Sequence, residues 1–186
     1  LRLIHSRRDL DEVWSSWGDV SNTTPPPIGV VLTMEGADPV LGAEDLSYWW
    51  GQGLRALSLA HYGPGIYGHG TPRNDTENLG ITLRGRELLV EMARRGIALD
   101  LTHSSDASFA EAIDVYDGPV YSSHSNCRAI TPGVRQLTDA QLRLLIERDG
   151  VVGCVVENSM LHSDWRTGQI TRDDVRRAID AARAVS

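Results

Sequence analysis

Short apolar runs alternate with amphipathic stretches along this chain, and the two spacings separate strands from helices. Apolar runs cover residues 28–34, 54–60, 97–101, 119–123 and 151–156. Each is rich in β-branched or aliphatic residues without polar alternation, the character of strands covered on both faces. Between them, helical spacing covers 43–52, 83–95, 107–116, 138–149 and 171–185, and a further helix is expected over 7–17. Thr138 before Asp139, and Thr171 before Asp173 and Asp174, place caps and acids where helix N-termini favour them. Gly96 and Gly150 fall just past helix ends, where a left-handed residue closes the last turn. Strands alternating with helices through short turns predict an α/β fold on a parallel sheet, either open and doubly wound or closed into a barrel. The stretch 62–79, rich in Gly, Pro and Asn, is too long for a plain connector and is expected to be a functional loop. No repeat, low-complexity segment or composition shift marks a boundary, so residues 1–186 are read as one domain.

Composition narrows the function classes. A hydrophobic share of 41 % excludes a disordered tail, and 186 residues allow one ordinary core. The formal charge of −7 argues against nucleic acid as a partner, because a phosphate backbone selects for a basic face. No apolar run approaches the ~18 residues of a membrane helix, and no signal peptide opens the chain, which makes a cytoplasmic location the default expectation. Two cysteines, Cys127 and Cys154, do not make a disulfide framework; Cys154 lies in an apolar run and is expected to be a buried thiol.

The informative chemistry follows the strands. Run one ends in Glu35, run two in His61, run three in Thr102 and His103, run four in His124. In parallel α/β folds the carboxyl ends of strands converge on the face where ligands bind. A single strand-end histidine is ordinarily a hydrogen-bonded structural residue, but metal ligands or proton carriers at four successive strand ends specify a site. Glutamate with two histidines suits zinc or a similar divalent ion, and a carboxylate can bridge two ions. Such an ion acidifies water and polarises a carbonyl, which points to hydrolysis. The remaining histidine fits a ligand, a proton carrier or an oxyanion donor, and spacing leaves those roles open. Asp100, in a strand with His103, is expected to face the other way as a structural or supporting group. Asn126 and Arg128 are expected to fix a loop, and Glu157 to be a solvated acid.

The segments MEGAD (34–38), GLRALSLAH (53–61), NLGITLRGRELLVEMARRGIALDLTH (78–103), PVYSSHSNCRAITPGVRQLTD (119–139) and GVVG (150–153) resemble, in the same order, the membrane (renal) dipeptidase family of zinc metallopeptidases. The resemblance implies the central part of a metal-dependent, amidohydrolase-like (β/α)8 barrel, here about five parallel strands with flanking helices. It implies hydrolysis of dipeptides, including those with a D-residue at the carboxyl end, with one or two zinc ions as cofactor. Glu35 matches the family's bridging glutamate, and His103 and His124 match the two histidines that complete one metal site with it. His61 matches the histidine that steadies the substrate carbonyl and its oxyanion. Arg135 matches the arginine that grips the dipeptide's terminal carboxylate, a task its planar fork suits. The family is often dimeric, which allows a homodimer.

Two family features are missing from this sequence. Nothing before Glu35 supplies the His-x-Asp pair of the first metal site, since His5 is followed by Ser6 and Arg7. His162-Ser163-Asp164 spells such a pair but follows no strand of its own and is read as a loop. The Asp-Phe-Asp-Gly segment that carries the family's catalytic aspartate is also lacking. Five strands fall short of eight, and such barrels need ~250 residues, so the chain is expected to be a portion of a longer polypeptide. Two other functions fit the same residues: a different metal-dependent amide or lactone hydrolase on this barrel, or an inactive partial chain serving as a structural or binding subunit.

Overall fold

A computed structural model describes residues 1–18, 25–73, 78–162, 165 and 171–183. Its elements are β1 (Arg2–Leu3), α1 (Arg7–Gly18), β2 (Gly29–Val30), β3 (Leu32–Met34), α2 (Leu46–Gly51) and β4 (Leu54–Leu57). They continue with α3 (Leu83–Arg95), β5 (Ala98–Asp100), α4 (Asp106–Val115), β6 (Val120–Ser122), α5 (Asp139–Glu147), β7 (Val151–Val152), α6 (Asn158–Leu161) and α7 (Arg172–Arg183). A 3-10 turn, Ala43–Asp45, leads into α2. β3 to β7 form one sheet in sequence order, every neighbouring pair parallel. A doubly wound sheet would reverse direction at a switch point; here each strand steps one place the same way, which is the winding of a β/α barrel.

Local signals account for the helix limits. The Thr82 hydroxyl accepts from Gly85 N, and Gly96 at φ +68° ends α3 with Ile97 N donating to Met92 O. Thr138 and Gln141 cap α5 reciprocally, a device worth about 1 kcal/mol. Glu157, exposed as expected, caps α6 by accepting from Met160 N. The core joins Leu57 of β4 and Leu99 of β5 to Leu88, Leu89 and Met92 of α3 and to Phe109 and Ala112 of α4, all buried. Each buried leucine there contributes roughly 2 kcal/mol. No helix among the described residues is long and apolar enough to cross a membrane.

Three expectations need correction. The run 28–34 is not one strand: β2 pairs with β1 in a separate two-stranded parallel sheet, and β3 pairs with β4 with a register shift at Leu32. β1 escapes a periodicity reading because two residues carry no period. The run 151–156 keeps only Val151–Val152 as strand, since Gly153 turns in against β6, where a Cβ would stand 2.0 Å from Ser123 O. Cys154, expected to be buried, is exposed, because it lies past β7, the last strand of the sheet among the described residues. Residues 74–77 of the long loop, residues 184–185 of the last helical pattern, and Ser163 and Asp164 lie outside the described residues.

Candidate metal centre

The ladder between β3 and β4 sets the first two groups. Ser58 N donates to Met34 O at 3.0 Å and Gly36 N to Ser58 Oγ at 2.7 Å, so Glu35 leaves β3 beside the end of β4. Gly36 takes φ +93°, a turn that a side chain would strain. Past β4, the chain folds back on His61: Thr71 N donates to His61 O at 2.9 Å, and Gly63 N to Thr71 O at 3.0 Å. Gly70 is required there, because a Cβ would stand 2.2 Å from His61 O.

The other two histidines come from β5 and β6. The Asp100 carboxylate accepts from Thr102 N at 3.0 Å and Ser123 N at 3.1 Å, clamping the ends of those strands together. It thus ties the two strand ends that carry His103 and His124, and its charge reaches Arg135. His103 turns out of β5 at φ +66°, a left-handed conformation costing about 1–3 kcal/mol for a residue with a Cβ. Ser125 N donates to Gly153 O, tying the chain after His124 to the turn after β7.

These turns bring four side chains to one point. Glu35 Oε1 lies 3.0 Å from His103 Nε2, 3.3 Å from His124 Nε2 and 3.8 Å from His61 Nε2. Ring centroids are 4.1 Å apart for His61 and His103 and 5.2 Å for His103 and His124. One ligand atom from each of Glu35, His61 and His103 lies within 4.8 Å of the others. His124 meets the same carboxylate oxygen, so distance alone does not set His61 apart from the two histidines expected as ligands. A carboxylate oxygen ringed by three imidazole nitrogens is a donor set that fits a divalent ion.

Electrostatics favour that use. His103 is buried, and its pKa is lowered to about 3, first by burial and then by electrostatic repulsion from Arg135, His61 and His124. At neutral pH its ring is uncharged, the form a metal requires. Arg135 is partly buried: Nη2 donates to His124 O at 2.8 Å and Nη1 to Ser125 Oγ at 3.2 Å. Burial lowers its pKa, offset by the Tyr62 hydroxyl and by Glu35.

Arg128 grips both Asp106 oxygens at 2.8 Å and donates from Nε to Gln136 O. Asn126 bonds Val155 and Met160. Both hold the loop that carries Arg135, as their positions suggested. Tyr62 was missed. Its ring meets His61 and His103 edge-on at 4.7 and 4.9 Å. The available signal was an aromatic next to a strand-end histidine at the mouth of a glycine-rich loop. Beside His61 and Tyr62 opens a cleft of about 320 Å³, bounded by Asp38, Gly63, Pro64 and Arg73, room for a small ligand.

Comparison with known proteins adds an independent line. Residues 2–186 match the family model of membrane dipeptidases, peptidase family M19. An uncharacterised protein from Acinetobacter calcoaceticus is 30 % identical over 153 residues, covering 80 % of this chain and 49 % of the relative. The dipeptidase aclJ of Aspergillus oryzae is 31 % identical over 155 residues, covering 81 % of this chain and 37 % of its own length. Among solved structures, a metallo peptidase from Rhodobacter sphaeroides, liganded with a phosphinate mimic of L-Ala-D-Ala, superposes with a TM-score of 0.79. That pair is 29 % identical over 97 % of this chain and 50 % of the other. The dipeptidase AC, a family M19 metallo peptidase, gives 0.78 at 30 % identity over 97 % and 52 %. The chain spans about half the length of the curated relatives it matches first.

Proposed function

Because the chain belongs to the membrane dipeptidase family of metallopeptidases, which use a divalent metal, we propose that the protein carrying it is a zinc-dependent dipeptidase. The observation that supports this most directly is the single Glu35 oxygen ringed by three imidazole nitrogens at strand ends. Glu35, His103 and His124 hold the ion. When bound, a divalent ion supplies an acidified water and a polarised carbonyl. His61, on the same rim and open to the cleft, orients the scissile carbonyl and donates a hydrogen bond to its oxygen as negative charge develops there. Arg135 holds the substrate's terminal carboxylate through its guanidinium fork, already fixed by His124 O and Ser125. That anchor limits substrates to dipeptides, since a third residue would remove the carboxylate from its reach. Dipeptides ending in a D-residue belong to the substrate class, in keeping with the ligand of the Rhodobacter relative. A homodimer is the proposed assembly.

The test is amino-acid release from L-Ala-L-Ala, L-Ala-D-Ala and Ala-Ala-Ala, before and after chelation. Turnover of both dipeptides but not of the tripeptide, lost with EDTA and restored by Zn²⁺, is expected. Arg135→Gln should raise KM at least about tenfold, the scale of a lost charge-assisted bond. Equal turnover of the tripeptide overturns the role of Arg135, and activity that survives chelation overturns the metal reading.

A further inference from the structure

We infer that Thr71, in the glycine-rich loop after β4, is a positioning residue that fixes the tautomer of His103 and so aims its Nε2 lone pair at the metal position. The inference rests on the proposed metal reading and adds a residue to it. Thr71 is buried, and its Oγ1 lies 3.2 Å from His103 Nδ1 and 3.2 Å from His103 O. Both bonds form together only when the single hydroxyl proton goes to His103 O, since a carbonyl oxygen only accepts. Oγ1 is then left as an acceptor, and Nδ1 must supply the other proton. A neutral imidazole protonated at Nδ1 carries its lone pair on Nε2, the atom that faces Glu35 Oε1 at 3.0 Å.

The same hydroxyl holds the His103 carbonyl in the left-handed turn that lifts the ring out of the strand. Thr71 reaches this place because its own backbone is locked to the other side of the site. Its N–H donates to His61 O, and neighbouring Gly70 has no side chain to keep the loop off that carbonyl. Thr71 thereby ties His61 to His103 from the glycine-rich loop. His124 has a similar arrangement on a smaller scale, with Ser123 Oγ 2.8 Å from its Nδ1.

The experiment strips the protein of metal with EDTA, removes the chelator, and titrates Zn²⁺ against a chromophoric competitor. Thr71→Val keeps the shape and deletes the hydroxyl. It is expected to weaken Zn²⁺ binding about 10- to 100-fold, with Thr71→Ser staying within about threefold of the native protein. Native Zn²⁺ affinity in Thr71→Val, or affinity in Thr71→Ser as poor as in Thr71→Val, overturns the role of Thr71 and leaves the metal reading standing. A native protein that binds no Zn²⁺ overturns the metal reading, and this inference with it.

Discussion

In β4 the residues Leu54, Ala56 and Leu57 are all buried, as are Leu99 of β5 and Val120 of β6, whereas Val151 of β7 is 68 % exposed and Leu32 of β3 is 37 % exposed. All five strands are similar in composition. The inner three have a hydrogen-bonded neighbour on each side, and among the described residues β3 and β7 have one neighbour each in this sheet. Apolar composition says which faces a strand is able to bury; only the presence of neighbours decides whether it does. The centre spans both environments. His61, His103 and His124 follow inner strands, and Glu35 follows outer β3. Glu35 is held in place by the bonds of Gly36 and Ser58 across the β3–β4 ladder.

If an outer strand places its ligand as firmly as an inner one, Glu35→Gln and His103→Ala should damage the centre equally. Each is expected to weaken Zn²⁺ binding more than about 100-fold, beyond what loss of a supporting group costs. Competition titration measures this. A loss for Glu35→Gln of tenfold or less would show that the inner-strand histidines hold the ion without the outer-strand carboxylate.

The next effect belongs to the inner strand alone. His103 takes up a proton in the folded chain only near pH 3, against 6.5 for an ordinary histidine. Below pH 6.5 the unfolded chain therefore binds a proton that the folded chain refuses. The contribution is complete above pH 6.5 and is lost as the pH falls toward 3, by about 4 kcal/mol in the chelated protein. Urea midpoints across this range measure it. His103→Gln should flatten the slope, and an unchanged slope would assign the acid sensitivity to other groups. Asp106, its pKa lowered chiefly by the Arg128 hydrogen bonds, adds a smaller loss in the same direction in more acid solution.

Much of this was legible from the residues. α3 matches its expected limits, residues 83–95, because Thr82 and Gly96 mark both ends chemically. Glu35, His61, His103 and His124 come together because parallel strands deliver the residues that follow them to one rim, a rule independent of side-chain detail. What failed depends on neighbours that no local window contains. Cys154 and Val156 read as buried and are exposed because β7 pairs with no strand beyond β6 among the described residues. The break at Val31 was hidden because both halves of the run are apolar. Tyr62 and Thr71 act from a loop without periodicity, where glycine positions announce a close approach but not which side chain it delivers.

The smallest expected effect is the sharpest test of the comparison between strands. Leu99→Ala, in the inner β5, removes a fully buried side chain from the main core and should cost about 3 kcal/mol. Val151→Ala, in outer β7, removes two methyl groups already largely in water and should cost less than about 0.5 kcal/mol. The ratio is informative because both changes shorten an aliphatic side chain in a parallel strand, so propensity contributes similarly to each. Paired urea melts give it directly. A Val151→Ala cost approaching that of Leu99→Ala would mean that β7 is covered in solution, and the apolar run 151–156 would then have the partner its composition calls for.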